Sequence, residues 1–183
     1  VAWNAAQLAS APVDAPLLGL FAPSHMAFEH DRPAQRPGEP SLADMTRAAI
    51  ARLSRHREGY VLLVEGGRID HAHHDGNAFR ALTDTIALSD AVRAADGMTS
   101  AGDTLILVTA DHSHTLAFTG YPVRGNPILG KVRGSAGEEG DTGRYARDAL
   151  GLPYTTLSYA NGPGYTGAST EQPAGPKRYP HGS

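Results

Sequence analysis

The sequence predicts an α/β domain with parallel strands in its sheet, and three observations carry that prediction. Two apolar runs, Tyr60–Val64 and Thr104–Thr109, proceed without polar and apolar alternation, as strands covered on both faces do. Between them, Asn77 to about Asp96 places Phe79, Leu82, Ile86, Ala87 and Val92 at helical spacing. Strand, helix and strand in that order make a βαβ unit with a right-handed crossover. Finally, 183 residues at 40% hydrophobic content can bury one sizeable core. No apolar run approaches the ~20 residues that a membrane-crossing helix needs.

The remaining elements follow in order. Leu17-Leu18-Gly19-Leu20-Phe21 reads as a short buried strand, followed by a polar, proline-broken connection as far as Pro40. Ser41 with Asp44 three residues later is a capping-box start, and Leu42, Met45, Ala49 and Leu53 continue a helix to about Arg55. Arg57, Glu58 and Gly59 close it, and Gly97 is placed to stop the second helix. From Gly120 onward lie 13 of the 21 Gly and 7 of the 13 Pro, so that part reads as turns and irregular segments with one short strand. Residues 1–120 are therefore expected to be the α/β core portion, and 121–183 a Gly/Pro-rich irregular segment of the same domain. So long an irregular segment is expected to pack against something outside these 183 residues. The chain begins with Val1 and carries no signal segment, which suggests a processed protein or a piece of a longer one.

Composition narrows the chemistry. With 19 acidic against 16 basic residues, the net charge of −3 leaves no polybasic footprint for nucleic acid or an anionic membrane. The absence of cysteine removes disulfides, thiolate catalysis and Cys-based metal sites. Any transition metal must be held by His and carboxylates. Of nine His, five fall in two stretches, Glu65-Gly66-Gly67-Arg68-Ile69-Asp70-His71-Ala72-His73-His74-Asp75 and Asp111-His112-Ser113-His114. Each stretch follows one of the apolar runs directly, at the carboxyl edge where ligands bind in open parallel sheets. Neighbouring strands would gather Glu65, Asp70, His74, Asp111 and His112 into one pocket. Several buried acids without cations repel one another, and a metal resolves the repulsion. Imidazoles with carboxylates suit Zn²⁺, and an oxygen-rich position suits Mg²⁺. Gly66 and Gly67 allow a sharp turn off the strand. Taken singly, His71 to Asp75 also reads as a solvated helix entrance, and Asp111-His112 as a strand-ending turn. Their occurrence together, at corresponding ends of two apolar runs, favours the metal reading.

At these residues the sequence resembles the alkaline phosphatase family, nearest to its animal-type branch. The resemblance is carried by Val64-Glu65-Gly66-Gly67-Arg68-Ile69-Asp70-His71 with His74, and by Val108-Thr109-Ala110-Asp111-His112-Ser113-His114. Leu18–Phe21, Arg80–Thr83, Gly120-Tyr121-Pro122, Arg124-Gly125 and Asn161–Tyr165 add to it. It implies a three-layer α/β sandwich with a mainly parallel central sheet, incomplete in this chain. It further implies that Glu65 binds magnesium, that Asp70 and His74 hold one zinc, and that Asp111 and His112 hold a second. His71 would lie near the bound phosphate, and His114 would support a zinc ligand from behind. The implied activity is hydrolysis of phosphate monoesters, with release of inorganic phosphate, through a phosphoserine. The implied setting is an exported homodimer, with membrane association only through parts outside the chain.

Departures from the family pattern are equally specific. The nucleophilic Ser in its Asp-Ser-Ala context, the Asp bridging zinc and magnesium, and the phosphate-clamping Arg are not among these residues; all would precede Val1. The last zinc His in a Thr-His-x-Gly-Glu context is also missing, since His181-Gly182 follows Tyr165 too closely and lacks the Glu. Ala22 after Phe21 leaves the family's calcium site one ligand short, although Glu39 keeps a carboxylate nearby. The chain is thus expected to be a middle-to-late part of such an enzyme, inactive alone. A related phosphohydrolase or sulfatase-type enzyme of the same superfamily, or a non-catalytic metal-binding module, are the alternatives.

Overall fold

A computed structural model describes residues 1–134, 145–148 and 150–160. They form two compact units, one of Val1–Ile69 with Leu82–Asp111, the other of Asp70–Ala81 with the described residues from His112 on. Asn161–Tyr165 and His181 lie outside the described residues, as does part of the expected 121–183 segment.

The first unit is helical, and its helices start where polar side chains satisfy free backbone N–H groups. Helix α1 (Ala5–Ser10) begins at Asn4, whose side chain accepts from the Gln7 amide at 2.9 Å. Helix α2 (Arg32–Gln35) is a single turn with Pro33 near its start. Helix α3 (Leu42–Leu53) opens on the expected capping box. Ser41 Oγ accepts from the Asp44 amide at 3.1 Å, and the Asp44 carboxylate accepts from the Ser41 amide at 3.2 Å. The helix ends at Leu53, two residues before the expected Arg55, and Gly59 turns the chain at φ +84°. Arg52 ties the end of α3 to α1 by donating to the Ala11 carbonyl at 3.0 Å. Helix α5 runs Ala78–Met98, so Gly97 lies inside its last turn and does not stop it. Ala43 of α3 and Ala91 and Ala94 of α5 are buried together, with Leu42 and Val64 against them. Small side chains at that contact let two helices approach closely.

The three apolar runs do not form the expected buried parallel strands. Leu17–Phe21 makes a single parallel bridge, Ala2 to Gly19, closed by the Ala2 amide on the Leu18 carbonyl and the Leu20 amide on the Ala2 carbonyl, both at 2.8 Å. Tyr60–Val64 and Thr104–Thr109 join no ladder among the described residues. Val61 is 96% exposed, Leu63 89%, and Leu105 and Leu107 81% each. With α3 and α5 these segments border a groove of about 1060 Å³. The physical reason is that a strand draws every ladder hydrogen bond from a neighbour. An apolar run records suitability for a covered position; Leu62 and Val64 are half-buried and Val64 packs on the helix contact, but Val61, Leu63, Leu105 and Leu107 stay exposed and no ladder partner comes from the described residues.

Helix α4 (Arg68–His74), whose residues from Asp70 on belong to the second unit, occupies a stretch for which the sequence suggested only a loop or helix entrance. Gly76 at φ +60° ends it, with its amide on the His73 carbonyl at 3.0 Å and the Asn77 amide on the Ala72 carbonyl at 2.8 Å. Asn77 then caps α5, its side chain accepting from the Arg80 amide at 3.1 Å. Strands β1 (Leu116–Phe118) and β2 (Leu157–Tyr159) are antiparallel, with Leu116 opposite Tyr159 and Phe118 opposite Leu157. This is the only ladder between strands in the described residues. Leu157 and Tyr159 of β2 are buried, as is Val132. Strand β2 is the short strand expected after Gly120; β1 was unforeseen.

Candidate metal centre

Helix α4 converts a sequence cluster into a directional one. Asp70 and His74 are four residues apart and share a helix face, with His74 Nε2 at 3.4 Å from Asp70 Oδ2. Ala72, fully buried, points to the opposite side. The turn before β1 brings His112 and His114 to the same carboxylate. His112 Nε2 lies 3.9 Å from Asp70 Oδ1. Donor atoms of Asp70, His74 and His114 all fall within 4.8 Å of one another.

Hydrogen bonds assign different roles to the two His of the second cluster. His112 Nδ1 lies 2.9 Å from the Ser113 carbonyl, which can only accept, so that nitrogen carries the proton. Nε2, the nitrogen toward Asp70, is then the lone-pair nitrogen of a neutral ring and suits a metal. His114 is the reverse. The Thr115 amide donates to its Nδ1 at 2.9 Å, so in the neutral ring Nε2 holds the proton and is a donor. That tautomer suits orienting a carboxylate better than binding a cation.

Asp70 Oδ1 is buried and has no hydrogen-bond partner among the described residues. A carboxylate oxygen removed from water without a donor is costly, and a cation beside it removes the cost. The donor set of one carboxylate and neutral imidazoles matches zinc, so the residues present fit the metal. His73 stacks on His114 with centroids 5.3 Å apart, and His114 meets His74 edge-on at 4.7 Å. Burial first, then the neighbouring His114, hold the His73 imidazole below its usual range against the pull of Asp70. His73 and its partner Tyr159 were not singled out in the sequence. An 86-residue separation leaves no local signal for the pair.

The other expected site residues are placed as follows. His71 is half-buried on α4 directly after Asp70. Glu65 and Asp111 are exposed and belong to the first unit.

The family model described as alkaline phosphatase matches residues 2–178. The chain belongs to the alkaline phosphatase family. It is 47% identical over 149 residues to the tissue-nonspecific isozyme of alkaline phosphatase from Gallus gallus, covering 81% of this chain and 26% of that protein. It is 42% identical over 165 residues to the membrane-bound alkaline phosphatase of Bombyx mori, covering 88% of this chain and 27% of that protein. It is 42% identical over 149 residues to an alkaline phosphatase of Gadus morhua, covering 81% and 28% respectively. The chain thus spans about a quarter of the length of the curated relatives it matches. Membership in the alkaline phosphatase family implies an α/β fold.

No helix of the described residues is long and apolar enough to cross a membrane. At the position discussed for calcium, Glu39 is 5% exposed. One of its carboxylate oxygens accepts from the Ala27 amide at 2.9 Å, while the other has no hydrogen-bond partner among the described residues. Calcium takes 6–8 oxygens, and the Ala22 side chain offers none.

Proposed function

We propose that the chain is part of a metal-dependent phosphate monoester hydrolase of the alkaline phosphatase type, working through a phosphoserine on a Ser outside these 183 residues. One observation carries the proposal: Asp70, with a buried oxygen that has no hydrogen-bond donor among the described residues, faces His74 Nε2 at 3.4 Å and His112 Nε2 at 3.9 Å. Asp70 and His74 hold one zinc, Asp111 and His112 hold part of a second, and Glu65 binds magnesium. The approach of His112 to Asp70 supports adjacent ligand sets, as a two-metal site requires. Bound there, zinc supplies Lewis acidity toward the attacking and leaving oxygens of an in-line displacement. The chain's own groups do the rest. Helix α4 holds Asp70 and His74 at fixed spacing, His114, with a ring nitrogen within 4.8 Å of both, supports a zinc ligand, and His71 acts near the phosphate through water or the magnesium shell.

The substrates proposed are phosphate monoesters, with inorganic phosphate as product, and the chain has no proposed part in nucleic-acid binding. The whole protein is proposed to be an exported homodimer with a three-layer sandwich, meeting a membrane only through parts outside these residues. Residues 1–120 belong to its core portion and 121–183 to an irregular part of the same domain. No calcium site is proposed.

These 183 residues hold no Ser in an Asp-Ser-Ala context, and residues that act as a unit do not keep proportionate activity when parted. The expected result is that the purified chain takes up zinc yet leaves a chromogenic phosphate monoester unhydrolysed. Adding the Ser-bearing part restores turnover. Robust hydrolysis by the 183 residues alone overturns the absent-nucleophile reading, and failure to take up zinc overturns the metal assignment.

A further inference from the structure

Tyr159 has no place among the proposed ligands, yet it is only 4% exposed and its hydroxyl lies 2.6 Å from His73 Nδ1. From that bond a train of rings leads to the metal ligands. The Tyr159 ring tilts against His73 at 5.6 Å, His73 stacks on His114 at 5.3 Å with 21° between planes, and His114 meets His74 edge-on at 4.7 Å. Two members of the train, Tyr159 and His114, are anchored on one ladder. Tyr159 is opposite Leu116, the Ala160 amide donates to the Thr115 carbonyl at 3.0 Å, and the Thr115 amide donates to His114 Nδ1. We propose that Tyr159 is a positioning residue, whose hydroxyl fixes the His73 ring and, through the stacked imidazoles, sets the orientation of the His114 ring and of His74 toward the metal held by Asp70.

The inference rests on the metal reading of this site. Its physical basis is that a ligand ring with free rotation must be ordered when the metal binds, whereas one braced in advance is not. Tyr159→Phe keeps the ring and its burial and removes only the hydroxyl. His73→Phe removes the same bond from the other side and keeps a ring to stack on His114.

The test uses the full chain. Zinc affinity is measured by competition with a chromophoric chelator, and ligand geometry by the visible absorption of bound Co²⁺, for the wild type, Tyr159→Phe, His73→Phe, the double variant and His74→Ala. Tyr159→Phe and His73→Phe are each expected to weaken zinc binding about 10-fold, the low end for groups that support a ligand, and to shift the Co²⁺ bands. The double variant should be no weaker than the weaker single variant, because both remove one bond. Wild-type affinity and Co²⁺ bands in a Tyr159→Phe chain with native far-UV circular dichroism overturn the proposal. If that variant loses its fold, the same comparison with His73→Phe decides. No zinc binding by the wild type, or undiminished binding by His74→Ala, overturns the metal reading itself and the inference with it.

Discussion

Helix α4 and the segment Tyr60–Val64 lie a few residues apart in sequence and obey opposite rules. In α4 the start and stop signals lie within about ten residues: Gly76 in the left-handed region closes the helix and Asn77 restarts the chain as the cap of α5. The apolar segment has nothing comparable. Val61 and Leu63 stand 96% and 89% exposed, because a strand's hydrogen bonds and cover come from other segments. Side chains on a short helix can therefore face one another where no neighbouring sheet is formed among the described residues. Asp70 and His74 do so through the i, i+4 spacing alone.

That contrast can be broken at several points. The largest effect is expected at the helix-borne site. His74→Ala removes a proposed ligand and should weaken zinc binding by more than ~100-fold, beyond the loss typical of supporting groups, as measured by chelator competition. Next is the packing beneath the helix. Ala72 is 0% exposed, so Ala72→Leu overpacks it and should cost about 1–3 kcal/mol in chemical denaturation. Ser41→Ala strips the capping box of α3 and should cost about 1 kcal/mol, read from the same curves.

A smaller effect belongs to Asp84, which joins α5 to the turn at Glu29 by accepting from the Glu29 amide at 3.1 Å. Burial pushes its carboxyl up from 3.8 to about 6, against that amide and Arg68. Between those pH values the native state keeps a proton that the unfolded chain has released. The stabilisation is fully present below 3.8 and is lost as pH rises through about 6. Asp84→Asn keeps an oxygen for the amide and should flatten that part of the thermal midpoint against pH. The gain above pH 6 is of the order of 0.5–1 kcal/mol after allowance for solvent screening. The least effect is expected on the apolar segment. Leu63→Ser should change stability by less than about 0.5 kcal/mol, and a larger loss would show that Leu63 is covered in solution.

Legibility in the sequence followed the range of the interactions. The α3 capping box and the span of α5 were readable because their signals are three or four residues apart, although Gly97 misled as a stop for a helix that continues through it. The His and carboxylate clusters were readable from residue type in a chain without Cys. Helix α4 was not, because seven residues rich in His carry no amphipathic period. Tyr159 was not, because its partner His73 is 86 residues away.

The amino-acid order by itself determined which chemistry was available: carboxylates and imidazoles without thiols, grouped after apolar runs, on segments whose caps and spacing are local. Only the tertiary structure decided which atoms face one another. It placed His112 Nε2 and His74 Nε2 at Asp70, gave His112 and His114 opposite tautomers through adjacent backbone groups, and braced His73 with a buried tyrosine. The reason is that a ring's tautomer and orientation are set by whichever donor or acceptor the folded chain brings within about 3 Å, and residue order alone does not contain that distance.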